Sequence, residues 1–210
     1  MQTPLMLLFI ALGVTIIVLT FYFKTRKSDA KQEKLYKSFF NDEHNADLSR
    51  KKDPVPEDYL AVDIHTLPIR EYPDEPAYTR VAARQNNVLE ISHLPMICDM
   101  HGMSNRELKL KYGTANLETI VTYEDNYNRF IHNLIEWGAA LAALGNTSDA
   151  IAVFEAAIEY RCDRSQAYTM LADLITDRVK LNSLREKAES QLSGSALERT
   201  LVYIDKRREM

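Results

Sequence analysis

Cysteine and glycine are scarce in this chain of 210 residues, and neither sign of charge dominates it. Its two cysteines are too few for the several disulfides that staple a small secreted scaffold, although they leave a single bridge open. The net charge of −4 supplies no overall basic field for a nucleic acid, so we expect no such partner. Six glycines leave most of the chain free to form helix.

Charged residues are also missing from the N-terminal stretch 4–23, in which Leu, Ile, Val, Phe and Ala predominate. At 1.5 Å per residue, about twenty helical residues span about 30 Å, the thickness of a bilayer's hydrocarbon core. A cleaved signal peptide would instead need a basic region, a shorter apolar core and a small-x-small cleavage site. Nothing basic precedes the run, and its triplet Ala11-Leu12-Gly13 falls in mid-run. We therefore predict a retained transmembrane anchor at 4–23.

Basic residues follow the apolar run, and they set its expected orientation. They are Lys24, Arg26, Lys27, Lys31, Lys34 and Lys37, against only Asp29 and Glu33. Basic residues close to a membrane segment stay on the cytoplasmic side. The flank therefore predicts a single-pass protein with its N-terminus outside and its C-terminal domain in the cytoplasm. The same residues act either as a topology signal alone or also as contacts for anionic lipid headgroups.

The segment 24–58 is expected to form a basic juxtamembrane helix followed by a linker. The helix carries an apolar face made of Leu35, Tyr36, Phe39 and Phe40. This face lies either on the membrane or on the domain that follows. Pro54 and Pro56 break both helix and sheet within the polar stretch Asn41–Asp58, which indicates the linker. From residue 59 to 210 we expect a helical domain.

Local signals place the first elements of that domain. An extended strap lying across helices is predicted from the alternating residues Leu60, Val62 and Ile64. A helix is expected over 77–92, and Ser104 with Glu107 has the form of a capping box that opens a short helix. Gly113 is placed to end that helix, because glycine tolerates the left-handed conformation. A long helix is then expected over 116–144.

Residues 131–164 carry small and bulky side chains at a regular spacing. Counting from Gly138, the marks fall seven, twelve, sixteen and nineteen residues later, at Gly145, Ala150, Phe154 and Ala157. The pattern resembles a tetratricopeptide repeat, in which these positions are small, turn, small, bulky aromatic and small. The small residues let two helices approach closely, and Phe154 fills the remaining gap. The chain departs from the family at Leu134, Leu141 and Cys162, where tryptophan, tyrosine and proline are usual.

A degenerate second unit is predicted at 165–192, with its first helix over Gln166–Val179. A short second helix is marked by Leu184, Ala188 and Leu192. A last helix at 196–208 is similar to the capping helix with which repeat arrays cover their final apolar face. The predicted fold is therefore all-α: a single N-terminal transmembrane helix followed by an antiparallel helical-repeat domain of the tetratricopeptide type.

The resemblance implies a membrane-tethered adaptor or scaffold that binds a protein or peptide partner, with no enzymatic activity and no cofactor. Its ligand surface is expected along the first helices of the units, on polar and aromatic residues that packing does not demand. The candidate contacts are Tyr123, Tyr127, Asn128, Asn133, Glu136, Gln166 and Thr169. Tyr123 and Tyr127 are expected to be exposed, whereas Phe130 and Trp137, seven residues apart on one helical face, are expected in the core.

A different class of function would use His93, Cys98 and His101, which fall within nine residues. The C-x-x-H spacing occurs in zinc sites, but a structural site needs four ligands, and Asp99 or Cys162 would have to complete it. A cysteine–histidine nucleophile would need a base within hydrogen-bond reach. We predict no metal site, and a metal-dependent or cysteine-based enzyme or regulator is the alternative. A helix-turn-helix outline at Ser104–Tyr123 is disfavoured, because acidic residues on its second helix would repel DNA.

Overall fold

The computed structural model describes residues 22, 24, 26, 31–98, 100 and 102–209, and over them the chain is all-α, as predicted. This described part contains eight α-helices and no strand, only an isolated antiparallel bridge between Tyr59 and Ile97. The helices are α1 (31–47), α2 (Thr79–Ser92), α3 (Asn105–Tyr112), α4 (Leu117–Ala143), α5 (Thr147–Glu159), α6 (Ser165–Leu174), α7 (Arg178–Gln191) and α8 (Gly194–Glu209).

The predicted anchor at 4–23 lies outside the described residues except for Tyr22. Within the described part of the chain, no helix is both long enough and apolar enough to cross a bilayer. Residues 22, 24 and 26 are helical and exposed, and α1 ends at residue 47. The first residues of the expected linker, 41–47, are therefore helical.

The chain divides into two compact units. The first unit contains the residues up to Lys52 together with Ser104–Ala115, and the second contains Asp53–Met103 and Asn116–Met210. The first unit joins α1 to α3, and the other six helices pack around an apolar core in the second.

The short helix α3 is bounded by the two local signals that the sequence contains. At its start, the Ser104 N–H donates to Glu107 Oε2 at 2.6 Å, and Ser104 Oγ accepts the Glu107 N–H at 3.3 Å. At its end, Gly113 has a φ of +78°, and a Cβ there would collide with the backbone of Arg50. Glycine is therefore required at 113 by both backbone conformation and space.

The long helix α4 is central to the second unit. It packs against α2 and α5, α5 in turn contacts α6, and α8 packs against both α6 and α7. Its largest fully buried side chains are Ile120, Phe130, Ile131, Leu134, Ile135, Trp137 and Leu141. These side chains recur at helical spacing, and their removal from water stabilises the packing of the neighbouring helices. The predicted core positions of Phe130 and Trp137 are confirmed.

The α4–α5 pair makes its closest approach at Gly138. A Cβ added to Gly138 would lie 2.8 Å from both Cε1 and Cζ of Phe154, nearer than side chains pack. Ala150, Phe154 and Ala157 are each 0% exposed. Gly145, with a φ of +79°, lies between the two helices, where the chain turns. A ring on α5 thus fills the space that a missing side chain on α4 provides.

The boundary between α6 and α7 differs from the sequence expectation. The predicted helix over Gln166–Val179 is wrong at its end, because α6 stops at Leu174 and α7 begins at Arg178. Asp177 caps α7, and its carboxylate accepts the Val179 N–H at 2.7 Å. Aspartate satisfies an unpaired helix donor best at this position, so it favours a new helix over continuation of the old one.

The strap, residues 59–70, precedes α2, and Leu60 packs from it against the core. The expected extended run is wrong at its end, because Ile64 begins a 3₁₀ helix, Ile64–Thr66. Tyr160 Oη accepts the Asp63 N–H at 3.2 Å and donates to the Asp63 carbonyl at 3.1 Å. Gln85 does the same for Arg70, accepting from its N–H at 3.0 Å and donating to its carbonyl at 2.8 Å. Each side chain satisfies both main-chain groups of one strap residue, so these contacts hold the strap across the helices.

Candidate partner-binding site

Tyr127 is buried rather than exposed, so the prediction of an open contact is wrong. It is 6% exposed, and its hydroxyl donates to the Arg161 carbonyl at 2.7 Å and lies 3.2 Å from that of Tyr160. Burial raises the pKa of Tyr127, which keeps the hydroxyl protonated as a donor. The sequence does indicate this burial, because Tyr127 follows Ile120 by seven residues and precedes Ile131 by four, which places it on the same apolar side of the helix.

Tyr123 and Asn128, five residues apart on α4, are half-buried. The ring centroid of Tyr123 lies 5.9 Å from that of Tyr59, in the strap. The main-chain carbonyl of Asn128 accepts a long hydrogen bond from Arg164 Nη2 at 3.4 Å. Both side chains therefore offer a partner only part of their surface.

Asn133 and Glu136 face α2. This helix covers the part of α4 that was predicted to bind a ligand. Asn133 is 7% exposed, and its Oδ1 accepts from Arg84 Nη1 at 3.0 Å and from Asn87 Nδ2 at 3.2 Å. Glu136 Oε2 accepts from Arg80 Nη2 at 2.7 Å, and this hydrogen bond lowers the pKa of Glu136. The expectation that packing does not demand these residues is wrong, since they hold α2 against α4.

Gln166 and Thr169 lie on the side of α6 that faces away from the core. Gln166 is exposed and Thr169 is half-buried. Met170 and Asp173 continue the same stripe, because the four residues recur at i, i+3, i+4 and i+7. The opposite side of α6 is formed by the buried residues Ala167, Tyr168, Leu171 and Ala172. The stripe therefore lies opposite most of the buried side chains of α6, although Met170 is half-buried and packs partly against the core.

α8 extends this stripe, and the sequence reasoning missed its contribution. Tyr203 Oη donates to the Asp173 carboxylate at 2.9 Å, and Arg207 Nη2 donates to the Asp173 carbonyl at 3.0 Å. The hydrogen bond to Asp173 raises the pKa of Tyr203. No local pattern reports a pairing between residues thirty positions apart. The name α6–α8 face is used below for the surface of Gln166, Thr169, Met170, Asp173 and Tyr203.

The alternative site is not assembled within the described residues. His93 is exposed and Cys98 is half-buried, whereas Asp99 and His101 lie outside the described residues. Among the residues that the structure describes, no group of three or more His, Cys, Asp or Glu side chains is placed to hold a metal ion. Cys162 is fully buried, and burial raises its pKa to about 11. A thiol held in its protonated form is a poor nucleophile.

No family model, curated protein or solved structure matches the chain. Its function is therefore inferred from its own residues. The α6–α8 face offers an amide, a hydroxyl, a thioether, a carboxylate and a phenol. These groups make hydrogen bonds and adaptable apolar contacts, a mixture typical of surfaces that bind proteins.

Proposed function

We propose that this protein is a membrane-tethered, tetratricopeptide-repeat-like adaptor that binds a protein or peptide partner at the cytoplasmic face of a membrane. Residues 4–23 cross the membrane once, with the N-terminus outside, and residues 24–210 lie in the cytoplasm. The adaptor binds its partner without a chemical step and without a cofactor. Tethering confines the search for the partner to the membrane plane and raises the local concentration.

The close packing of Gly138 against Phe154 carries this proposal. It supports the resemblance of 131–164 to a tetratricopeptide repeat, because the small residue and the ring meet where the repeat needs two helices in close contact. The order of contacts also supports it, since α5 contacts α6 and α8 packs against α6 and α7. In a stack of this kind each helix pair covers its neighbour and leaves one face open to a ligand.

The tether rests on the sequence of the first forty residues. An uncharged apolar run long enough for a bilayer is followed at once by basic residues. Protease added to intact cells or sealed organelles should therefore spare residues 24–210. Digestion of the folded part from outside would contradict the proposed orientation.

The α6–α8 face is the proposed ligand surface. The α4 residues are not part of it, because Tyr127 is buried and because Asn133 and Glu136 bond to arginines of α2. A polypeptide segment with hydrogen-bond donors and one apolar side chain fits this face. Gln166 has an exposed amide whose oxygen accepts hydrogen bonds, and Met170 has a thioether that adapts to irregular apolar shapes.

Site-specific photocrosslinking in intact membranes tests this proposal. Benzoylphenylalanine is placed at Gln166, on the α6–α8 face, or at Ser183, which is exposed on α7. One discrete protein adduct is expected from position 166 and none from position 183. Met170→Ala together with Tyr203→Ala should abolish the adduct in protein that remains folded, which its unfolding midpoint checks, since Met170 packs partly against the core and Tyr203 bonds to Asp173. Equal labelling at 166 and 183, or an adduct lost only when His93 and Cys98 are replaced, contradicts the adaptor reading.

A further inference from the structure

The first half of α1 presents a bare aromatic and aliphatic face. Its members are Leu35, Tyr36, Phe39 and Phe40, each between 51% and 65% exposed. Their spacing places them on one side of a helix with 3.6 residues per turn. The ring centroids of Tyr36 and Phe40 lie 4.5 Å apart, and those of Phe39 and Phe40 lie 5.9 Å apart. The four side chains therefore form one contiguous patch, called the aromatic face below.

Two turns farther along, the same side of α1 is covered by α3. Glu43 and Asp47 follow Tyr36 and Phe40 by seven residues each, so they lie on the same side of the helix. Lys109 Nζ lies 2.6 Å from Glu43 Oε1 and 2.7 Å from Asp47 Oδ1. These hydrogen bonds raise the pKa of Lys109. The acidic half of α1 is thus neutralised within the first unit, and its aromatic half projects beyond α3.

Basic residues occupy the other side of that half. Lys31, Lys34 and Lys37 are exposed. One of them, Lys37, pairs with Glu33 at 2.7 Å, which leaves this part of the helix net positive. An aromatic and aliphatic face opposite a lysine-rich face is the composition of helices that lie in the interface of a membrane.

We propose that α1 lies along the bilayer surface, with the aromatic face inserted at the boundary of headgroups and acyl chains and the lysines attracted by anionic headgroups. The inference rests on the proposed anchor at 4–23, which brings α1 to the bilayer. A helix is about 10–12 Å thick, close to the Debye length of about 10 Å, so lysines on its far side still feel the surface. Each basic residue near an anionic surface strengthens association about fivefold.

The size of the aromatic face favours a bilayer over a second copy of the chain. Large apolar side chains bury at most about 250 Å² each, so four of them at half to two-thirds exposure offer roughly 400–600 Å². A stable protein interface buries about 800 Å² on each partner. Tyr36 adds a polar hydroxyl to an apolar ring, which suits the headgroup level of a membrane.

Fluorescence quenching in vesicles with brominated acyl chains tests the proposal on the full-length protein. A tryptophan replaces Phe39 in one variant and Asn41 in the matched control. Asn41 is exposed and lies about 200° around the helix from Phe39. The native Trp137 is 0% exposed and gives the same background in both proteins. Flotation of each protein with the vesicles is measured separately, so anchoring and surface contact are read independently.

The Phe39→Trp protein is expected to lose fluorescence in brominated vesicles, more in anionic than in zwitterionic ones, and the Asn41→Trp protein is not. Replacing Lys31, Lys34 and Lys37 by glutamine should weaken the preference for anionic lipid, with Lys24, Arg26 and Lys27 left in place. A helix that leaves the membrane straight would carry position 39 about 24 Å beyond position 23. Both variants would then float with the vesicles and remain equally unquenched, which overturns this inference and leaves the adaptor intact.

Two other results also overturn the inference. In one, the tryptophan of the Phe39→Trp protein is not quenched by bromine but becomes more shielded from water as more protein is placed in each vesicle. That result identifies a second copy of the chain as the occupant of the aromatic face. Failure of the protein to float with vesicles removes the anchor, and with it both the tether of the proposed function and the surface helix.

Discussion

Gly138 and Phe154 share one space between α4 and α5. The ring of Phe154 lies where a side chain on Gly138 would be, with Cε1 and Cζ 2.8 Å from the Cβ position. Ala150 and Ala157 flank the ring on α5, and both are fully buried. The two helices therefore meet through small residues with a single ring between them, and the free energy of unfolding should depend steeply on side-chain volume here.

Gly138→Leu should lower the free energy of unfolding by about 1–3 kcal/mol, because the new side chain must displace a buried ring. The loss is expected even though leucine is a better helix former than glycine. Denaturant unfolding in detergent measures it through the fluorescence of Trp137, the one tryptophan of the chain. Ala143→Leu on the exposed side of the same helix is the control and should be nearly neutral.

The shared space also predicts how two changes combine. Phe154→Ala alone should cost about 3–5 kcal/mol by leaving a cavity. Gly138→Leu made together with Phe154→Ala should cost less than the sum, because the leucine enters the space that the ring vacates. Strict additivity of the two costs would show that the residues do not compete for one space.

The α4–α5 pair was open to prediction because its determinants are local. Gly138, Gly145 and Phe154 fall within seventeen residues, and their spacing is typical of a helix pair. The capping box of Ser104 and Glu107 is local in the same sense and is present as predicted. Such patterns join residues that are close along the chain, so they can be recognised without knowing how the helices pack.

The pairing of α2 with α4 was not open to prediction in this way. Asn133 meets Arg84 across 49 positions, and Glu136 meets Arg80 across 56. A polar residue on a helix surface has the same local pattern whether it faces water or a distant arginine. The expected ligand residues on α4 were therefore misplaced, although the helix that carries them was predicted within a residue or two.

Tyr127→Phe should lower the free energy of unfolding by about 1 kcal/mol, because the hydrogen bonds from its hydroxyl to the carbonyls of Arg161 and Tyr160 are lost. The ring itself is retained, so packing changes little. Tyr36→Phe is the matched control, since Tyr36 is 65% exposed on α1 and should give no change. A neutral Tyr127→Phe would mean that water replaces the hydroxyl without cost.

The Arg80–Glu136 contact predicts a pH dependence in the acid range. The hydrogen bond from Arg80 lowers the pKa of Glu136 in the folded state. The stabilisation is therefore fully present above the unfolded pKa and is lost as the pH falls through the folded value. A double-mutant cycle of Arg80→Gln and Glu136→Gln should give a coupling of less than about 1 kcal/mol at neutral pH, since Arg80 is largely exposed. The coupling should vanish in acid, and one that persists there would exclude ionisation of Glu136 as its source.

Cys162 predicts the opposite dependence, in the alkaline range. Burial raises the pKa of its thiol to about 11 in the folded state, so the unfolded chain loses the proton first as the pH rises. The free energy of unfolding should therefore fall above the unfolded pKa of about 8.5, and Cys162→Ala should remove that slope.

In a Cys98→Ser background, the native protein should react with a maleimide at pH 7 about a hundredfold or more slower than a free thiol, since far less thiolate is present. Denaturant should restore full reactivity. Rapid modification of folded Cys162 at neutral pH would instead demonstrate an activated thiol and favour a cysteine-based enzyme over the adaptor.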